Sequence, residues 1–362
     1  MTWVRALSWL LAFVFATGAG PLVIAAYKKM GWVEDPNQLT HEKTTHEKPV
    51  PRGGGLVVAA GILAVVILFV PLTTPMIGVL LGALVLLISG TLDDRYDINP
   101  YIRYVLNILA AVIVIASGVG ISFVTNPFGG GVINLDTWQT TLVVFNYQLT
   151  VSWIADGFAL LWIVWNMNAV NWAKGLDGQL PGFVSIAALF IALLSLRFEA
   201  DMTQGIVTLL ALAVSGAYAG LLIWNFYPQK MMPGYAGGSL AGYFLAILAI
   251  LSGAKIATVL LLLALPMTDA VYTVIRRLAA GKSPFWGDRG HLHHRMLDAG
   301  MSKRTISVFY MATTTLFGLL ALQLSSTSKL YALLAAGILS LALILWFKRS
   351  ITSSKLADRV SG

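Results

Sequence analysis

The chain reads as an all-α polytopic membrane protein, and three observations carry that reading. Of its 362 residues, 57% are hydrophobic and 11% charged, with mean hydropathy +0.79; a soluble domain carries about 25% charge. The apolar residues come in long runs near the roughly 20 residues a bilayer needs. Lysine and arginine crowd into one alternate set of connecting segments, as topology demands. Helices are required because every backbone polar group must be paired inside lipid. The chain has no cysteine, which excludes disulfides and thiolate metal sites. Its net charge of +8 follows topology, and no nucleic-acid partner is implied.

About eleven spans are expected, near 6–27, 54–72, 75–92, 102–124, 154–171, 181–197, 203–225, 239–254, 256–275, 305–323 and 330–347. The first begins like a secretory leader. Its apolar run continues to Ala26 and ends at Lys28–Lys29, the pattern of an uncleaved span. Gly18, Gly20 and Pro21 predict a bend in it. Basic residues between the spans fall mostly on one side, from Lys28 and Lys29 through Lys174 to Arg304 and beyond. Arg5, Arg197, Lys255 and Lys329 fall on the other. The positive-inside rule then places the N-terminus outside and the C-terminus inside. The largest outer loop opens with Asn126–Gly131 and continues with β-branched and aromatic residues. It predicts a short β-hairpin near 126–151. Residues 1–351 read as one membrane domain and 352–362 as a polar cytoplasmic tail.

Five loops of the basic side hold nearly all the unusual residues. Thr91–Arg103 carries Asp93, Asp94 and Asp97 where a span meets water. At i and i+4, Asp93 and Asp97 share a helical face, with Asp94 beside them. Carboxylates so spaced repel, and a Mg²⁺ ion bridged to phosphate would relieve them; the plainer reading is a solvated helix end with Arg95 and Arg103 as partners. The loop before the second span holds Lys48, Arg52 and three glycines, Gly53–Gly55, a candidate phosphate wall. After the fifth span, Asn168 and Asn171 share a face, and Lys174 and Asp177 repeat the spacing. The alternative there is a Lys174–Asp177 pair at an ordinary helix break. The fourth loop runs through Gly234, Gly237 and Gly238 into a helix start, a weak anion-site pattern. The fifth holds Arg289, His291, His293, His294 and Arg295. On a helix His291 and His294 share a face and His293 does not. Zinc is one reading, with no strong fourth ligand; donors to a diphosphate are the other. Asp269 lies inside the ninth span, with Arg276 its nearest sequence partner.

With the five loops on one side, the chain resembles the polyprenyl-phosphate hexosamine-1-phosphate transferases. The resemblance rests on Asp35-Pro36 with His46–Gly55, on Leu92–Asp97 (LDDRYD) and on Asn168–Gly178 (NAVNWAKGLDG). Pro266–Asp269 and Pro284–Arg295 (PFWGDRGHLHHR) complete it. It covers nearly the whole chain and fits eleven spans in a bacterial inner membrane, with the site facing the cytoplasm. It implies transfer of a sugar-1-phosphate from a UDP-linked amino sugar to undecaprenyl phosphate, releasing UMP, with Mg²⁺ (or Mn²⁺) as cofactor. The expected metal ligands are Asp93, Asp94, Asp97 and Asp177. Asp93, Asp94 and Asp177 are the expected catalytic residues. Substrate binding falls to Lys48, Arg52, Asn168, Asn171, Lys174, Tyr235, Asp269, Arg289, His291, His293, His294 and Arg295. A homodimer is a candidate assembly. Two departures stand out. The family usually reads DGxDG where this chain has Lys174-Gly-Leu-Asp177-Gly. It usually reads GDxGS, whose aspartate holds metal, where this chain has Gly234-Tyr235-Ala-Gly237-Gly. A silent relative that binds lipid phosphate or nucleotide is the alternative. A transporter fits less well, because the unusual residues gather at one surface and no internal repeat is seen.

Overall fold

The structure, a computed structural model, describes residues 2–36, 48–126, 131–144, 147–198, 201–252, 255–284 and 288–361. His46 and Glu47 of the first loop, Pro127–Gly130 of the outer turn and Phe285–Gly287 of the fifth loop lie outside these residues.

The chain runs α1 (Thr2–Lys29), β1 (Val33–Glu34), β2 (Val50–Pro51), α2 (Gly54–Phe69), α3 (Thr74–Tyr96) and α4 (Pro100–Ala116). The outer loop follows as β3 (Phe123–Thr125), β4 (Val132–Asn134), β5 (Gln139–Val144) and β6 (Tyr147–Ser152). Then come α5 (Trp153–Trp172), α6 (Gln179–Ser195), α7 (Met202–Asn225), α8 (Gly234–Leu251), α9 (Lys255–Leu262) and α10 (Ala264–Ala279). The last elements are α11 (Leu292–Asp298), α12 (Lys303–Gln323) and α13 (Ser326–Ser361). Each expected span overlaps a helix or a helix pair, but the one expected over 102–124 stops at Ala116, where α4 ends, and its last residues enter strand β3. Among the described residues, seven helices are long and apolar enough to cross a membrane, or up to eight with a bent pair. α2 and α4 are apolar but shorter, and α5 is a continuous helix that carries the polar residues Asp156, Asn166, Asn168 and Asn171.

The expected ninth span is not one rod. α9 and α10 meet at 86°. Pro266 explains the break, since it has no N–H to return to Leu262 and cannot continue the helix. In the first turn of a new helix that N–H is not needed. The outer loop holds two antiparallel hairpins where one was expected, β3 with β4 and β5 with β6. α13 continues as backbone helix into the polar tail.

α8 is the centre. It is buried on nearly every side, as a helix apolar all round must be, and α2, α3, α5, α6 and α7 pack on it. Small residues allow this close approach: a Cβ on Gly90 would collide with Ala236, and one on Gly242 with the Asn166 backbone. The outer helices instead turn large side chains outward, with Ile67 77%, Leu161 69% and Ile338 68% exposed. In water such a belt would be an aggregation hazard; against lipid it is the ordinary exterior. The start of α8 faces the basic-side loops, and every candidate site residue is placed relative to it.

Candidate active site

All five motif loops meet. β1 pairs with β2 and fixes the first loop. That loop is sewn to the fourth by Met232 N–H donating to Pro51 O at 2.9 Å and Gly54 N–H donating to Met232 O at 3.0 Å. The third loop reaches the fourth through Lys174 and Asp177, and the fifth reaches the third at Gly175, where a Cβ would strike His293 Nε2.

Asp94 links the second loop to α8. Its Oδ1 accepts the Tyr235 N–H at 2.6 Å, and its Oδ2 accepts the Ala236 N–H at 3.4 Å. A carboxylate thus sits on the N-terminal end of the central helix, where free amides and the helix dipole favour negative charge. Gly234 enters α8 at φ +70, which a side chain would strain,. Asp93 is buried, and its Oδ2 accepts from Arg103 Nη1 at 3.1 Å. Asp97 departs from the expected shared helical face. The helix ends before it, and Asp97 takes a left-handed conformation at φ 47 with its side chain 78% exposed. It approaches Arg103 at 3.8 Å. Arg95 lies against the Trp32 and Tyr96 rings, so Arg103 is the partner of the two acids.

Lys174 Nζ donates to Gly234 O at 2.9 Å and lies 5.4 Å from the Tyr235 ring centre. Arg103 approaches the same ring at 5.3 Å, and the Tyr235 hydroxyl accepts from Asn107 Nδ2 at 3.1 Å. Burial pushes the Lys174 ammonium down to about 8; Asp94 and Asp93 pull it up, and Arg52 and Arg103 press it down. Arg52 forms an ion pair with Glu34, and Lys48 is exposed.

In the third loop the two asparagines part company. Asn168 Nδ2 donates to Val164 O of its own helix at 2.8 Å. Asn171 is buried beside Gly238, with Oδ1 lacking a donor. Asp177 Oδ2 accepts the Gln229 N–H at 3.1 Å, and its backbone carbonyl accepts from Ser307 Oγ at 2.5 Å. Lys174 and Asp177 are therefore engaged with different partners, and the pairing considered from their spacing is not what holds either.

The fifth loop is organised by Asp269. Its Oδ2 is 2.8 Å from His291 Nδ1, and its Oδ1 accepts the Leu292 N–H at 2.8 Å. The expected partner Arg276 is elsewhere, bound to both oxygens of Asp288. Burial pushes the Asp288 carboxyl up. The Arg276 bond, the Gly290 N–H and the Arg277 and Arg276 charges more than reverse this and hold it below the usual carboxylate range. The three histidines gather instead of dividing between faces, because His291 precedes α11 in extended backbone. His291 and His293 stack at 5.6 Å, and His293 and His294 lie 4.4 Å apart. Burial, then the charges of His294, His291 and Arg289, hold His293 well below the usual imidazole value. It is neutral near pH 7. Arg295 is buried and spends its donors on Gly290 O and Ile344 O. Arg289 pairs with Asp298 at 2.8 Å.

Glu34, Asn107, Asn225 and Asp288 escaped the sequence reading. Asn107, an amide inside an apolar run, carried a usable signal. Asn225 accepts the Gly178 N–H at 2.9 Å, a contact with no local pattern.

Mg²⁺ and Mn²⁺ favour six oxygen ligands in octahedral geometry. Asp93 Oδ1, Asn171 Oδ1 and Asp177 Oδ1 are buried acceptors without a donor. Yet both Asp94 oxygens serve α8, Asp97 faces out, and among the described residues no three His, Asp or Glu side chains group as a metal site. The residues present do not fit a resident divalent ion.

Lipid-facing helices whose polar loops gather around a carboxylate-capped helix start, flanked by cations and a histidine cluster, define a membrane enzyme for phosphorylated substrates. The profile of glycosyl transferase family 4 matches residues 76–253. The chain is 30% identical over 329 residues to a decaprenyl-phosphate N-acetylglucosaminephosphotransferase of Mycobacterium tuberculosis, covering 82% of this chain and 76% of that protein. It is 30% identical over 291 residues to an undecaprenyl-phosphate alpha-N-acetylglucosaminyl 1-phosphate transferase of Escherichia coli, covering 76% and 72%. The chain belongs to glycosyl transferase family 4 and is a phosphoglycosyltransferase.

Proposed function

We propose that the chain transfers an N-acetylhexosamine-1-phosphate from a UDP-sugar to a polyprenyl phosphate. The observation that carries this is the meeting of five loops around the start of α8, four of them at that helix start and the fifth joined through His293 at Gly175. The relatives' names supply the acceptor and the sugar class. An oxygen of the lipid phosphate forms a bond to the phosphorus that bears the sugar. The bond from that phosphorus to the bridging oxygen breaks, and its electron pair leaves with UMP. Two anions must approach, so fixed positive charge lowers the barrier. Arg103 and Lys174 provide it beside Asp93 and Asp94. Neutral His293 and the Asp269-oriented His291 offer ring N–H groups toward the nucleotide side. The unpartnered oxygens of Asn171 and Asp177 suit hydroxyl donors of a sugar or ribose.

The site faces the cytoplasm of a bacterial inner membrane, with eleven spans and the N-terminus outside. The lysine and arginine distribution supports this. Because the chain lacks cysteine, single cysteines report topology cleanly. One at Ser283 should resist an impermeant thiol reagent in intact cells, and one at Ser326 should label; the reverse would overturn the orientation. For the reaction, purified protein is incubated with undecaprenyl phosphate and a panel of UDP-sugars. Release of UMP with one of them is the expected outcome. Nucleotide-sugar binding without UMP would make the chain a silent relative.

A further inference from the structure

We infer that Lys174 is the resident cation of the acidic site and stands where a divalent ion would otherwise be required. The inference builds on the transferase reading and concerns how that site balances its charge. Its basis is a set of contacts at the start of α8. Residues 234–236 offer two N–H groups and one carbonyl to neighbouring side chains. Asp94 takes both N–H groups, from Tyr235 and Ala236. Lys174 gives its ammonium to the carbonyl of Gly234. A carboxylate and an ammonium are thus fixed to the same three-residue segment through groups of opposite polarity. The Tyr235 ring fills the neighbouring space between Lys174 and Arg103, each within 5.5 Å of its centre.

Two consequences follow for a divalent ion. Hard cations are drawn chiefly by anionic oxygen, and here the anionic oxygens are already served. Asp94 is spent on backbone amides, and Asp93 holds Arg103. The approach to the remaining oxygens is also electropositive, because Lys174 and Arg103 flank Tyr235. An ammonium carries half the charge of Mg²⁺, but its position is set by the chain, so it needs no filling from solution. Lysine binds phosphate as a point charge, and a fixed one costs no reorganisation when the substrate anions arrive. These contacts also position α8, so Lys174 holds the scaffold of the site as well as its charge.

The test has one readout that needs no activity. Protein stripped with EDTA is titrated with Mn²⁺, and the loss of the free-ion electron paramagnetic resonance signal is followed. Wild type and Lys174→Arg should give no saturable site. Lys174→Asp should bind Mn²⁺ at least about ten-fold more tightly, since a cation is replaced by a ligand. Lys174→Asn, neutral and gentler to the fold, should fall between them. Equal, tight Mn²⁺ binding by wild type and Lys174→Asn would overturn the inference. The second readout is transfer itself: the wild-type rate in EDTA should stay within about two-fold of the rate with Mg²⁺, and Lys174→Arg should retain more of it than Lys174→Ala. A strict Mg²⁺ requirement of the wild type would overturn the inference. Failure of transfer under every condition would bear on the transferase reading and leave the Mn²⁺ result to decide this one.

Discussion

The start of α8 and the start of α11 are built alike and charged differently. In each, a buried or half-buried aspartate from another helix caps the N-terminal end: Asp94 takes the Tyr235 and Ala236 amides, and Asp269 takes the Leu292 amide. Around Asp94 and its neighbour Asp93 stand cations, Lys174 at the start of α8 and Arg103 on Asp93. Around Asp269 stand imidazoles, with His293 held neutral, while the nearby guanidiniums of Arg276 and Arg277 are absorbed by Asp288. One helix start supplies fixed charge, and the other supplies orientable N–H donors. A reaction that joins two phosphates needs both, and the fold brings them together where His293 meets Gly175, one residue beyond Lys174.

The sharpest way to break this comparison is Asp94→Asn. The amide cannot accept at both oxygens, and the cap on α8 and the counter-charge of Lys174 go together. Turnover in the UMP assay should fall by about 10²–10⁴-fold; a rate near wild type would remove Asp94 from the site. Asp269→Asn should be milder. Loss of the carboxylate releases His291 from its tautomer and weakens the α11 cap, raising the KM for UDP-sugar by about ten-fold. Stability should drop by about 1–3 kcal/mol, read by thermal unfolding. A KM change only for polyprenyl phosphate would assign the histidines to the wrong substrate.

The pH profile sharpens the difference in charge. Lys174 is an ammonium below about 8 and an amine above it. Activity that needs the ammonium is therefore present below that pH and lost as pH rises through it. Lys174→Arg keeps its charge far above 8, so its alkaline limb should move upward even where its peak rate is lower. An unmoved limb would mean that another group titrates. Asp97→Asn is expected to do least, within about two-fold of wild type, because Asp97 faces solvent beyond the end of α3. A large loss there would restore the acidic triad that the sequence spacing suggested.

The sequence made the spans legible because membrane helices announce themselves by apolar length, and α1, α3, α7 and α12 lie where their runs predict. It did not show that α9 and α10 cross at 86°. The run across them is continuous in hydropathy, and only Pro266 marks the break. Motif loops were legible as clusters of charge, amide and glycine. Which residues they contact was not, because the decisive contacts are long-range: Asp94 meets a residue 141 positions away and Lys174 one 60 away. Helical spacing also misled where helices stop. Asp97 and His291 both lie outside the helices on which their faces were reckoned. Arg295, expected at the nucleotide, instead holds the loop to α13 through backbone carbonyls.

We propose that fixed charge at α8 and ring N–H donors at α11 serve one transfer reaction. The most direct test is product analysis of the wild type with undecaprenyl phosphate and UDP-N-acetylhexosamines. Polyprenyl-diphospho-sugar and UMP are expected in equal amounts, with both lost in Asp94→Asn. Hydrolysis to free sugar-1-phosphate, or binding of either substrate with no UMP at all, would contradict the proposal.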